Sequence, residues 1–106
     1  MGVWAPDYLD PYTYINALLD GRSLKAVGNF NYAHFDSPQY NRLMARAARL
    51  QGNARLRAYG NLDVKLARDA APLVAYAFAK DPTLVSKRVG CRVLRFGLDL
   101  AAACLK

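Results

Sequence analysis

A chain of 106 residues is long enough for one domain, and a hydrophobic content of 54% is that of an ordered globular protein, which excludes a disordered tail. The net charge of +7 comes from ten Arg and five Lys against eight acids, all of them Asp. These basic residues are spread along the chain with no accompanying recognition motif, so nucleic acid is not expected as a partner.

In chain order, Gly2 to Ala5 reads as a short strand. The stretch Trp4 to Pro11 that overlaps it sets an aromatic and the carboxylate of Asp7 three positions apart, with the chain-stiffening Pro6 between them. Such a stretch can offer a flat apolar surface and a fixed negative charge to a small cationic guest. The competing reading is an amphipathic turn with Asp10 as helix cap and Pro11 at the first helical position. A helix is expected over Pro11 to Leu19 with Ile15, Leu18 and Leu19 on one face, ended by Asp20-Gly21. Arg22 to His34 carries no sustained period and is expected to be a loop, with Phe30 and Tyr32 pinning it to the body.

Ser37-Pro38 is a strong helix start, and Tyr40, Leu43, Met44 and Ala47 recur at helical spacing to about Leu50. Arg42, Arg46 and Arg49 lie on the opposite, solvated face. After Gln51-Gly52, Asn53 is expected to cap a second helix, with Leu56, Tyr59, Leu62 or Asp63, Leu66 and Ala70 along its apolar stripe to about Ala71. The two helices should pack against each other. Leu73 to Phe78 is an almost unbroken apolar run of strand length and predicts a buried strand. Asp81-Pro82 predicts a turn, and Thr83 to Val89 a half-exposed strand. In the tail, Gly97 separates a strand-like piece, Arg92 to Phe96, from a short apolar piece, Leu98 to Leu105, read as a last helical turn or two.

A catalytic reading requires a nucleophile with a base, a working carboxylate pair or a metal cluster, and the sequence offers none of these. His34 is the only histidine, and it reads as structural or solvated. Neither an enzyme nor a metal or other cofactor is expected. Cys91 and Cys104 are an even pair thirteen positions apart, read either as a disulfide or as two buried free thiols. Closing a loop of that length would stabilise the tail by about 3 kcal/mol in the chain-entropy picture.

Trp4 to Tyr14, W-A-P-D-Y-L-D-P-Y-T-Y, resembles the W-x-x-D-Y-x-D-P-x-x-F segment of the family 5 solute-binding proteins, the oligopeptide and dipeptide binders of ABC transporters. Two further blocks follow in the same order. Asn31-Tyr32 with Phe35-Asp36-Ser37-Pro38-Gln39-Tyr40-Asn41 resembles the family's N-Y-x-x-F-D-x-P-x-Y-D entry into a helix, and Arg55 with Tyr59 resembles its R-x-x-x-Y helix. The resemblance implies a mixed α/β chain, a C-terminal fragment of a two-lobe periplasmic-binding-protein type 2 fold. Residues 1–80 would form part of one lobe and 81–106 a return segment. It implies capture of a peptide or similar small solute, without catalysis, for delivery to ABC permease subunits in the periplasm or at the cell surface. Asp7 would pair with the peptide's α-ammonium, Trp4 would line a side-chain pocket, and the backbone at Ala5 would hydrogen-bond an extended peptide. Pro6 departs from the pattern and removes one backbone donor.

Family members are exported, often as lipoproteins. Met1 to Leu19 has no basic start and is broken by Pro6, Asp7, Asp10 and Pro11, so it reads as neither an export signal nor a lipid anchor, which agrees with a truncated copy. Two alternatives stand beside this reading: a small basic interaction protein for nucleic acid or anionic lipid, and a nonfunctional remnant.

Overall fold

The fold is given by a computed structural model, which describes residues 3–78, 80, 82–93 and 99–106. The chain divides into two compact units, Met1–Val74 and Ala75–Lys106. Among the described residues, the first unit is built on α1 (Tyr12–Leu19), a 3-10 turn (Gly21–Ser23), α2 (Pro38–Ala48) and α3 (Gly52–Lys65). The last of these continues as a π-helical turn, Leu66–Ala70. The second unit contains one antiparallel pair, β1 (Val89–Gly90) with β2 (Cys104–Leu105), in which Val89 faces Leu105 and Gly90 faces Cys104.

The apolar periodicity places the core. Ile15 and Leu19 of α1, Tyr40, Met44 and Ala47 of α2, Tyr59 and Leu62 of α3, and Leu66 form one buried cluster, with Leu18 and Leu43 packed against it. Met44 at its centre has no exposed surface. Leu56 departs from the expected stripe and is exposed. At that end of α3 the inward position is taken by its neighbour Arg55, which reaches Asp10 and the end of α2.

Helix boundaries follow local chemistry. Pro11 sits at the N-terminus of α1 with a helical φ of −58°, and Asp10 Oδ1 accepts from the Tyr12 N–H at 2.8 Å. Ser37 precedes Pro38 as expected, but its hydroxyl makes no capping bond. α3 starts at Gly52, ahead of the expected cap Asn53. Gly52 has φ +53°, a left-handed conformation that glycine adopts without steric cost, and this turns the chain from α2 into α3. Beyond Ala70 the Ala71 N–H closes on Leu66 O at 2.7 Å, and Pro72 cannot continue the helix.

The strand expectations need correction. Val3 to Ala5 and Leu73 to Phe78 form no paired strand, and Leu73, Val74 and Phe78 are exposed, Phe78 at 98%. β-propensity is a preference for a pleated, half-buried surface, and no neighbouring strand among the described residues provides one. Of Thr83 to Val89 only Val89 enters a ladder, and its partner Leu105 lies in the piece expected to turn as a helix, of which residues 99–106 contain no helix. The expectations resting on Gly2, Asp81, Gly97 and the rest of 94–98 lie outside the described residues. The described part is therefore mostly helical with one two-residue ladder, and it contains no helix long and apolar enough to cross a membrane.

Candidate functional site

The Trp4 to Pro11 turn is held at both ends. At its start the Trp4 indole N–H donates to Thr13 O at 2.6 Å, and the ring meets Phe30 edge to face with centroids 5.1 Å apart. At its end Asp10 forms a bidentate pair with Arg55, Nε to Oδ2 and Nη2 to Oδ1, both at 2.7 Å. A planar guanidinium matches a carboxylate in this way, and the geometry fixes orientation as well as contributing energy.

Arg55 does more than pair with Asp10. Its Nη1 donates to Ala48 O at 2.7 Å, at the C-terminal end of α2, where unpaired helical carbonyls concentrate negative potential. Its guanidinium carbon also lies 5.1 Å from the Tyr59 ring centroid, a cation–π contact. Tyr59 is buried and donates its hydroxyl to Asn16 Oδ1 at 2.8 Å, tying α3 to α1. Hydrogen bonding to Arg55 holds the Asp10 carboxyl below its ordinary pKa. Burial pushes the Tyr59 phenol up to about 12.

A second polar lattice fixes the loop opposite. Asn41 accepts from the Gly21 N–H at 3.1 Å and donates to Asp36 Oδ1 at 2.8 Å. Asn31, almost wholly buried, both donates to Phe35 O and accepts from the Phe35 N–H. Asn31 thus anchors the loop, whereas Phe30 and Tyr32, the expected anchors, are both exposed, and Phe30 keeps its edge contact with Trp4. His34 is exposed with a left-handed φ of 49°.

The candidate ligand residues are brought onto one turn, but they differ in freedom. Ala5 and Asp7 are exposed, and Asp7 makes no hydrogen bond or ion pair to a described residue. Trp4 is half-buried, with its N–H already used. Of the two carboxylates, Asp10 is held by Arg55 and Tyr12, so Asp7 alone remains available to a guest. A shallow cavity of about 230 Å³ is lined by Tyr12, Asn16, Asp20, Lys25 and Phe30 among others. The described residues contain no cluster of metal-ligating side chains.

Reading the sequence alone misses the role of Arg55. Its signal was the recurrence of a carboxylate and an arginine in separate blocks of the same resemblance, which is how a distant ion pair looks in one dimension. No protein-family model, curated protein or solved structure matches the chain.

Proposed function

We propose that this chain is part of one lobe of an extracytoplasmic solute-binding protein that captures peptides, or similar small solutes with a free amine, for an ABC permease. The single observation that carries this reading is the exposed carboxylate of Asp7, without an ion-pair partner among the described residues, on a turn braced by Trp4–Thr13 and Asp10–Arg55. A negative charge held in place beside a half-buried indole suits an ammonium group next to an apolar side chain. The three resemblance blocks support it, because Asp10, Asn41 and Arg55, one residue from each, carry the polar framework of the first unit. The exposed Leu73, Val74 and Phe78 support the fragment reading, since apolar side chains of that kind suit a strand whose sheet neighbours lie in the remainder of a two-lobe protein.

The test is a nuclear magnetic resonance titration of the chain with a short free-amine peptide and its N-acetylated counterpart. The free-amine peptide should shift the Trp4 indole and the Ala5, Asp7 and Tyr8 amides. Its Kd should be about millimolar or weaker, because half a cleft leaves the ligand open to water. Equal shifts with both peptides, or shifts with neither, would overturn the amine-site reading.

A further inference from the structure

Independently of that function, we propose that Cys91–Cys104 is a thiol–disulfide exchange site that selects negatively charged small thiols. The two sulfurs are bonded, and both cysteines are exposed. Cys91 has a left-handed φ of 49°, an uncommon backbone conformation for a residue bearing a side chain. Among the described residues, the second unit has little buried apolar surface to hold it. Every member of the buried apolar cluster belongs to the first unit, and Gly90 is the only buried residue described between Ala75 and Lys106. Beside the disulfide stand the two-residue ladder and a few backbone bonds, among them Lys106 N–H to Arg88 O at 2.8 Å.

The surroundings are cationic. Arg92 follows Cys91 directly, Lys106 follows the partner strand, and the Arg88 carbonyl accepts from the Lys106 N–H. None of the three has an ion-pair partner among the described residues, while Asp99, the one acid described in this unit, accepts from the Ala101 N–H. Gly90 explains the packing. A β-carbon there would lie 3.1 Å from Cys104 Sγ and 3.1 Å from Lys106 Cγ, so sulfur and lysine flank the same glycine. Cys104 thereby has the Lys106 side chain as its neighbour across Gly90, which favours Cys104 as the sulfur that leaves with the charge and Cys91 as the one attacked.

The exchange is balanced as follows. An external thiolate attacks Cys91 Sγ, the Cys91–Cys104 bond breaks, and the electron pair leaves on Cys104 as a thiolate beside Lys106. Arg88 and Arg92 draw in an anionic thiol, and Lys106 stabilises the departing charge, both of which accelerate exchange. A second equivalent of thiol then releases the external disulfide and leaves the reduced cysteine pair.

The experiment compares three thiols of similar size on the oxidised full chain: 2-mercaptoethanesulfonate, 2-mercaptoethanol and cysteamine. Rates are expressed per thiolate and read by mass spectrometry of the mixed disulfide. The expected order is anionic, then neutral, then cationic, spanning about tenfold at low salt, the lower end of electrostatic steering. The span should collapse in 1 M salt, where screening acts within about 3 Å. A triple variant Arg88→Gln, Arg92→Gln, Lys106→Gln should lose the order while its disulfide still forms. Equal rates for the three thiols, an order unchanged by salt or by the triple variant, or exchange only in denaturant would overturn the proposal.

Discussion

Replacing Arg55 should reveal how much of the first unit depends on one guanidinium. Arg55→Met keeps the length and apolar stem but removes two bonds to Asp10, the cap on Ala48 O and the contact with Tyr59. Hydrogen bonds to charged groups contribute about 1.5 to 3 kcal/mol each when well formed, but this pair retains 18% and 22% side-chain exposure, so solvent weakens it. A total loss of about 3 kcal/mol is expected, equivalent to a fall in Tm of about 12 to 24 °C for a domain of this size. Asp10→Asn should cost roughly half as much, and the double-mutant cycle should give a coupling of about 1 to 2 kcal/mol. Urea unfolding at pH 7 measures all three. The acid side adds a signature. A carboxylate with a depressed folded-state pKa contributes stability that is complete above the unfolded value of about 3.9 and lost as pH falls through the folded value. Asp10 is depressed chiefly by its bonds to Arg55, so the difference between wild type and Asp10→Asn should shrink below about pH 4. Asp20, depressed by its own bonds to Arg22, is present in both proteins and cancels. A cycle coupling under about 0.5 kcal/mol, or a difference independent of pH, would refute the reasoning.

Tyr59→Phe should cost about 1 to 2 kcal/mol in urea unfolding, because Asn16 Oδ1 loses its donor in a buried place. The same variant should resist alkali better than wild type does. A phenol raised to about 12 in the fold gives stability that is whole below the unfolded value of about 10 and lost as pH rises from there through the folded value. Thermal scans at pH 9 and pH 11 will show whether the wild type loses more than the variant. Gly21→Ala should destabilise by about 1 to 3 kcal/mol, since the new β-carbon collides with the Asp36 carboxylate and lies 2.7 Å from its Cα. A Gly21→Ala protein as stable as wild type in urea would place Asp36 elsewhere. Leu73→Lys with Phe78→Lys should leave stability within about 0.5 kcal/mol while reducing self-association in sedimentation, because both side chains are already exposed.

Much of the helical unit was legible in the sequence. The spacing of Tyr40, Met44 and Ala47 and of Tyr59, Leu62 and Leu66 marked the buried faces, because a helix repeats every few residues and each repeat reports the same contact surface. Leu73 to Phe78 misled for a related reason. An apolar run records that something covers it in its working context, and the partner need not lie in the same stretch of chain. Asp10 was half legible. Its bond to the Tyr12 N–H is local and readable from Asp-Pro spacing, while its pair with Arg55, forty-five positions away, is a tertiary event that no local pattern encodes. The division of labour between Asp7 and Asp10 was legible from Pro11, which marks Asp10 as the residue at the helix start; the geometry adds that Asp10 is also held by Arg55.

The central claim, that Asp7 on the braced turn receives an amine, is tested most directly by Asp7→Asn in paired titrations with a free-amine peptide and its N-acetylated analogue. Asparagine keeps the shape and one acceptor but loses the charge, and a charged bond exceeds a neutral one by about 0.5 to 2 kcal/mol. The free-amine peptide should therefore lose roughly tenfold in affinity, while the acetylated one should barely change. Trp4→Ala, which removes an apolar wall as well as the bond to Thr13, should weaken both alike. Equal losses for the two peptides in Asp7→Asn, or no loss for either, would contradict the claim and return Asp7 to the solvated surface.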